Sequence, residues 1–290
     1  VALPHVHFVN RFFYPDLSAT SQMLSGIAFG LAAEGHDVQI ASSRQLYEDA
    51  SAELAPTETA NGVTIHRVAT TRFGRAGLGG RAVDYASFYA ATAWHLLRHV
   101  RRGDIIVAKT DPPMLSVVTA LIGRARGATC VNWLQDLFPE VASSVKLGGR
   151  GGQIAFAALR IIRNWSLQRA RCNVVIGERM AEYLLAGGIA PAKIVAIPNW
   201  ADPTIVFPIT HSSLRREWGL EGKIVVGYSG NLGRAHEIAT FVDAIADIQN
   251  RSGDAIARDI IFVFVGRGAL RRAFEADIAA KSLSNVRFFP

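Results

Sequence analysis

The sequence predicts an α/β chain of two domains, each built on a parallel sheet, the second incomplete. Three observations predict it. Short, nearly continuous apolar runs alternate with amphipathic helical patterns from residue 5 onward. A stretch at 198–208 holds three prolines and no periodicity, and reads as a linker. Beyond it the alternation resumes with only three strand candidates, where a doubly wound domain has about five or six. The expected domains are therefore 1–203 and 204–290, with the chain read as a fragment of a longer protein.

The elements follow in order. Residues 5–9 form a strand, and a polar and aromatic loop, 10–20, leads into an amphipathic helix over 21–34. Gly35 caps that helix, and 38–41 is the next strand. The polar stretch 44–61 reads as loop with room for a short helix, 63–68 as strand, and 74–80 as a glycine-rich loop. A helix over 81–101 precedes a strand at 104–108. Pro112 and Pro113 open a further helix that ends near Gly127. Strand 129–134, helix 153–169, strand 173–176, helix 179–186 and strand 193–197 complete the first half. The second half offers strands at 224–228, 260–265 and 286–289.

Half of the residues are hydrophobic and 19% are charged, a globular profile. The net charge of +7 comes mostly from arginines spread along the chain. A solvated basic surface is the first reading, with phosphates or an anionic membrane surface second. No aromatic–basic array reads as a nucleic-acid site, and no nucleic-acid partner is expected. Cys130 and Cys172 fall inside strands, without CxxC or zinc spacing, and read as reduced core residues suited to a cytoplasmic location. No signal-peptide pattern or bilayer-length apolar run is found.

In open parallel sheets, ligands bind beyond the carboxyl ends of the strands. Three first-half loops leave that edge, each with a carboxylate: Asp16 in 10–20, Asp111 in 109–113 and Asp136 in 135–140. A lone carboxylate before a helix is more often a cap than a catalyst. Asp16 and Asp111 fit the cap reading, whereas Pro139 separates Asp136 from any following helix. In the second half, the strand at 224–228 runs into Gly230-Asn231-Leu232-Gly233, followed by Arg234 and His236. Such a turn is either an ordinary strand-to-helix connection or a phosphate cradle. A second turn, Gly266-Arg267-Gly268, resembles the start of a dinucleotide fingerprint. Its third glycine is replaced by Arg271, which makes a nicotinamide oxidoreductase a weak reading. There is no phosphate loop, nucleophile elbow, HExxH or DxD, and neither a metal nor a cofactor is expected. His5, His7 and His66 alternate with apolar residues and read as solvent-facing or satisfied structural positions.

The segment 146–177 carries Lys146, Arg150, Arg160, Arg163, Arg169 and Arg171 with no Asp or Glu, interleaved with Ile154, Phe156, Ile161, Ile162 and Trp165. Two readings stand: a helix lying on an anionic membrane surface, or a core helix with an arginine-rich outer face.

Taken together, the motifs resemble glycosyltransferase family 4, of the GT-B fold with two Rossmann-like domains. The resemblance spans essentially the whole chain. Phe12-Phe13-Tyr14-Pro15-Asp16 resembles the loop after the first strand, and Gly35-His36-Asp37-Val38 the helix-to-strand join. Gln135-Asp136-Leu137-Phe138-Pro139-Glu140 resembles the loop of an N-acetylfucosaminyltransferase-like branch of cell-surface polysaccharide synthesis. Pro198-Asn199-Trp200-Ala201-Asp202 resembles the link between halves, Tyr228 to Gly233 the donor turn, and Val265-Gly266-Arg267-Gly268 the turn after it.

The resemblance implies metal-free, retaining transfer of a hexosyl or N-acetylhexosaminyl group. The donor is a nucleotide-sugar of the UDP type. The acceptor is a lipid-linked or other glycan, reached from the cytoplasm or the inner membrane face. It assigns Asp136 as catalytic, and Asn10, Tyr14, Asp16, Ser18, Thr110 and Asp111 to the acceptor side. Gly230, Asn231, Leu232, Gly233, Arg234, His236, Gly266 and Arg267 fall to the donor, and Asn199 to the hinge. Arg234-Ala235-His236 departs from the family's usual pattern, which leaves the phosphate-binding side chain open. The family's donor-sugar glutamate motif would lie beyond residue 290, so little turnover is expected from this chain alone. A sugar-nucleotide epimerase of related architecture and a non-catalytic sugar-nucleotide-binding fragment are the alternatives.

Overall fold

The structure, a computed structural model, describes residues 4–49, 51–74, 78–141, 149–201, 209, 211–233, 236–251 and 253–290. The chain divides into two compact units, Val1–Ala201 and Asp202–Pro290.

The first unit is built on β1 (Val6–Val9), β2 (Val38–Ser43), β3 (Thr57–Ala60), β4 (Val63–Val68), β5 (Ile105–Ala108), β6 (Thr129–Leu134), β7 (Cys172–Val175) and β8 (Ile194–Ala196). They form one sheet in the order β3-β4-β2-β1-β5-β6-β7-β8, parallel except for β3. The helices are α1 (Ala19–Ala33), α2 (Leu78–His99), α3 (Leu115–Arg126), α4 (Gly149–Arg169) and α5 (Glu178–Ala186). β1 is buried along its whole length and pairs with β2 and β5. Its alternate residues serve opposite faces. Val6 and Phe8 pack with Leu24 and Ala28 of α1, while Val9 packs with Phe88 and Leu96 of α2 and with Leu115 of α3. A parallel strand covered on both faces must be apolar throughout, which is why these strands are continuous runs in sequence. Each fully buried Phe or Leu contributes about 1.5–3 kcal/mol.

Two expectations for this unit are corrected. The stretch 44–61 contains a strand, not a short helix. Thr57–Ala60 pairs antiparallel with β4 through a two-residue turn, Asn61 (φ 47°) and Gly62 (φ 79°). Asn-Gly supplies the two left-handed residues that a tight hairpin needs. The polar TETA composition of an edge strand concealed it. Nor does the helix after β5 open at Pro112. Met114 is left-handed (φ 65°), and the helix begins after it, at Leu115.

Among its described residues the second unit carries three parallel strands, β9 (Ile224–Ser229), β10 (Ile260–Val265) and β11 (Val286–Phe289), in the order β11-β10-β9. Its described helices are α6 (Ser213–Glu217), α7 (Ala239–Asn250), α8 (Ala255–Asp259) and α9 (Arg271–Ala280). Val242 and Ile245 of α7 meet Phe274 and Ile278 of α9 over Phe264 and Val286 of the sheet. Phe264 and Phe274 pack edge to face at 4.7 Å. Both cysteines are free thiols, Cys130 buried and Cys172 half-buried.

Candidate active site

Because β1, β5 and β6 are parallel neighbours, the loops that follow them leave the same edge. The backbone ties two of these loops together. The Arg11 N–H donates to the Asp111 carbonyl at 2.7 Å, and the Lys109 N–H to the Val9 carbonyl at 3.0 Å. Asn10 is fully buried; its Nδ2 donates to the Phe12 carbonyl at 2.7 Å, while its Oδ1 has no partner. Arg11 is buried 3.6 Å from Asp84 of α2 and lies over the rings of Phe12 and Tyr85, which clamps the first loop to that helix. Tyr14 is exposed and packs edge to face on Phe29. Thr110 and Asp111 are half-buried beside them.

The three carboxylates differ in what they meet. Asp16 is buried and accepts from the Ser18 N–H at 2.9 Å, from the Ser18 hydroxyl and from the Tyr47 N–H. It therefore organises its loop two residues ahead of Ser18, the N-cap of α1. Asp16 and Ser18, expected on the acceptor side, thus bond to each other, and Asp16 also accepts from backbone. Asp136 is the opposite case. Its side chain is exposed and makes no hydrogen bond or ion pair among the described residues. Its surroundings nonetheless desolvate the carboxyl enough to push its pKa up. Glu140, four residues on, is committed: Arg163 holds it bidentately at 2.6 and 3.1 Å, Arg160 at 3.0 Å, and the Tyr183 hydroxyl at 2.8 Å. Burial works against its charge, but those donors keep its pKa below the usual value. Arg160 and Arg163 thus have a counter-charge from outside the acid-free segment 146–177. Lys146 and the Arg150 side chain lie outside the described residues.

A residue the sequence did not single out sits between these loops. Lys109 is 2% exposed, donates from Nζ to the Thr20 carbonyl at 3.1 Å, and lies 3.7 Å from the centre of the Trp133 ring. Its pKa is pushed down to about 7 by burial. Trp133 in turn stacks on Trp200 at 5.8 Å, which anchors the segment carrying Asn199 to the end of β6. A lysine closing an apolar strand in sequence carries no signal that its amine folds back under the first loop.

In the second unit the glycine turns after β9 and β10 are interlocked by backbone. The Gly230 N–H donates to the Val265 carbonyl at 3.0 Å, the Leu232 N–H to the Arg267 carbonyl at 2.8 Å, and the Leu270 N–H to the Leu232 carbonyl at 3.0 Å. A Cβ on Gly266 would lie 2.4 Å from the Gly230 oxygen, and one on Gly268 only 2.3 Å from the Leu232 oxygen. The turn's own amides are therefore largely engaged within the unit. The N–H groups of Gly230, Leu232 and Gly233 are all spent on carbonyls, and only that of Asn231 has no partner among the described residues. The Leu232 side chain is a core residue. Even the start of α7 is filled, because the Glu237 carboxylate accepts from the N–H groups of Ala239 and Thr240.

What remains for an anion at this edge is cationic side chains. Arg267 is exposed, with no side-chain partner among the described residues. His236 is pinned across the turn, with Nδ1 3.1 Å from the Gly233 carbonyl and Nε2 2.9 Å from the Tyr228 hydroxyl. A carbonyl only accepts, so Nδ1 carries a proton. Nε2 can then accept from Tyr228, or carry a second proton while Tyr228 turns its own to the Asn231 carbonyl 3.3 Å away. Arg271, where a dinucleotide fingerprint would place glycine, reaches the carbonyls of Gly266 and Phe289 and lies over Phe288. Arg234 lies outside the described residues.

The histidines expected to be structural gather at the first unit's other side. His7 is buried and 3.2 Å from Asp104; His95 and His99 stack at 4.1 Å, and His66 lies tilted against both at 4.8 and 5.3 Å.

Comparison with known proteins identifies the kind of fold that carries these two edges. Residues 19–200 match the family model described as a glycosyl transferase 4-like domain. Over 200 residues the chain is 29% identical to the probable glycosyltransferase WbjE of Pseudomonas aeruginosa, covering 67% of this chain but 47% of that protein, so the match spans about half of the relative's length. Among solved structures, Anabaena Alr3699/HepE in complex with UDP superposes with a TM-score of 0.65 at 13% identity, over 99% of this chain and 69% of the other. WaaG, a glycosyltransferase involved in lipopolysaccharide biosynthesis, gives 0.62 at 17% identity, over 98% and 69%. No described helix is long and apolar enough to cross a membrane.

Proposed function

The chain belongs to the glycosyl transferase 4-like family, and from that premise we propose that the whole protein moves a sugar from a nucleotide-sugar to a glycan acceptor in polysaccharide synthesis. The observation that carries the chemical assignment is Asp136. It is the carboxylate of the three sheet-edge loops that is exposed and has no partner among the described residues, with a pKa raised by its surroundings. A raised pKa brings a carboxylate nearer the working range of a group that orients and helps deprotonate a hydroxyl.

The reaction we propose is retaining and metal-free. The bond between the sugar's anomeric carbon and the donor phosphate oxygen breaks, and a bond to the acceptor oxygen forms on the same face. The acceptor proton passes to the departing phosphate, with Asp136 holding the hydroxyl. Arg267, the His236 ring and the Asn231 N–H stabilise the diphosphate charge. Asn10, Tyr14, Thr110 and Asp111 line the acceptor side, and the connection near Asn199 acts as the hinge. That UDP and UDP-glucose are bound by structural neighbours supports a UDP-type donor. A lipid-linked acceptor at the inner membrane face is supported by α4, where Ile154 is 77% exposed and Ile161 71%.

A panel of nucleotide-sugars, read by thermal shift and then by product analysis with glycan acceptors, tests the reading. The true donor raises the melting temperature by mass action, and sugar appears on the acceptor. Interconversion of nucleotide-sugars without an acceptor would instead make the protein an epimerase. Stabilisation with neither outcome would make it a binding protein.

A further inference from the structure

Within the first unit, at the amino ends of β6 and β7 and so opposite its loop-bearing edge, lies a pocket of about 430 Å³. Arg124, Arg169, Arg171 and Lys193 line it, with Ala120 and Cys130 among its apolar wall, and no Asp or Glu among its lining residues. None of the four cations forms an ion pair among the described residues; the pairs nearby engage Arg160, Arg163 and Arg179 instead. Two of them are held in place. The Arg169 guanidinium lies 4.4 Å from the centre of the Trp165 ring, and the Lys193 amine donates to the Gln168 carbonyl. Arg124 and Arg169 lie in the last turns of α3 and α4, where a cation offsets the helix dipole. Two helix ends supply about half a negative charge each. Four cations therefore leave about three positive charges converging on one concavity. Mutual repulsion works against such a grouping unless an anion completes it.

We infer that this pocket binds a phosphate-bearing ligand, separate from the proposed donor site. Its volume exceeds that of a lone phosphate and lies near the low end for small-molecule sites, about 300 Å³. Three guanidinium forks provide bidentate donors for phosphoryl oxygens, and the alanine and cysteine wall faces the organic part.

The test compares the wild-type chain with an Arg124→Gln/Arg171→Gln double variant, using inorganic pyrophosphate as the soluble probe at constant ionic strength. Wild type shows saturable binding by calorimetry, and the variant binds at least about tenfold more weakly. Both residues are exposed, so the variant folds, and without ligand it melts at or above the wild-type temperature because repulsion is relieved. Its thermal response to UDP is unchanged, which separates this pocket from the proposed donor site. Vesicles of phosphatidylcholine, with and without phosphatidylglycerol, identify the source. Sedimentation with the anionic vesicles that pyrophosphate displaces and the variant loses means a lipid headgroup; pyrophosphate binding without it means a soluble ligand. Absence of saturable binding to either probe, or equal binding by the variant, overturns the inference.

Discussion

The sheet edges of the two units solve the same problem with different parts. In the first unit the edge is made of side chains: Asn10 and Lys109 buried beneath the loops, Asp136 projecting from them, and Asp16 and Glu140 used to hold them. In the second it is made of main chain, with two glycine turns hydrogen-bonded to each other so closely that no Cβ fits between them. The difference predicts where each edge is brittle. A side-chain edge tolerates substitution in stability and loses chemistry, whereas a backbone edge loses its fold first.

The largest effect is expected at Gly268. Its φ of +147° and a Cβ contact of 2.3 Å to the Leu232 oxygen combine strain and overlap. Gly268→Ala should cost about 3 kcal/mol or more in urea denaturation. Gly227→Ala, with nothing within 4 Å of its Cβ, should stay within about 1 kcal/mol. Equal costs would show that the interlocked turns are not what makes the second edge brittle.

Next is Asp136→Asn. Transfer by the whole protein should fall about 100-fold in kcat, equivalent to about 2.7 kcal/mol. Its unfolding free energy should shift by less than about 0.5 kcal/mol. The acid limb of the wild-type rate profile should lie above the ordinary carboxylate range, since activity needs the ionised form and the pKa is raised.

Lys109→Met sharpens the comparison from within the first edge. With a folded pKa of about 7 and an ordinary value of 10.5, the amine disfavours folding most at and below neutral pH. That penalty fades as pH climbs toward the unfolded value, because the folded form has already released its proton. The variant should gain stability over wild type at pH 7, and the gain should shrink by about 2 kcal/mol at pH 9. A gain independent of pH would show that the amine is not desolvated.

The smallest effect concerns His95, which belongs to neither edge. Burial first, then His99, His66 and His7, push the His95 pKa down from 6.5 to about 3. Between those values the unfolded state binds the proton that the folded state refuses, so stability falls as pH drops below 6.5. Wild type should lose about 1–2 kcal/mol more than His95→Gln between pH 7.5 and 5, by denaturant midpoints.

How much of this was legible in sequence depended on whether the determinant was local. The parallel strands declared themselves as apolar runs because both faces are covered, and the turns at Gly230 and Gly266 because glycine alone suits them. The β3 strand was missed, although Asn61-Gly62 is a strong hairpin signal, because its residues face solvent on an edge. Asp136 stood out for its distance from a helix start, and it has no partner among the described residues. The spent amides of Gly230 and Leu232 could not be read from one strand–turn–helix, since their acceptors are more than thirty residues away at Val265 and Arg267. The same holds for Lys109, whose partners Thr20 and Trp133 come from other elements.

The interlocked turns also set what solvent can reach. The amides of Gly230 and Leu232 can exchange their hydrogens for deuterium only when both turns part, so they should exchange slowly and at one common rate. Asn231, between them, should exchange at once. Its protection would then serve as a direct gauge of occupancy, because an arriving diphosphate could slow that amide while leaving its neighbours unchanged.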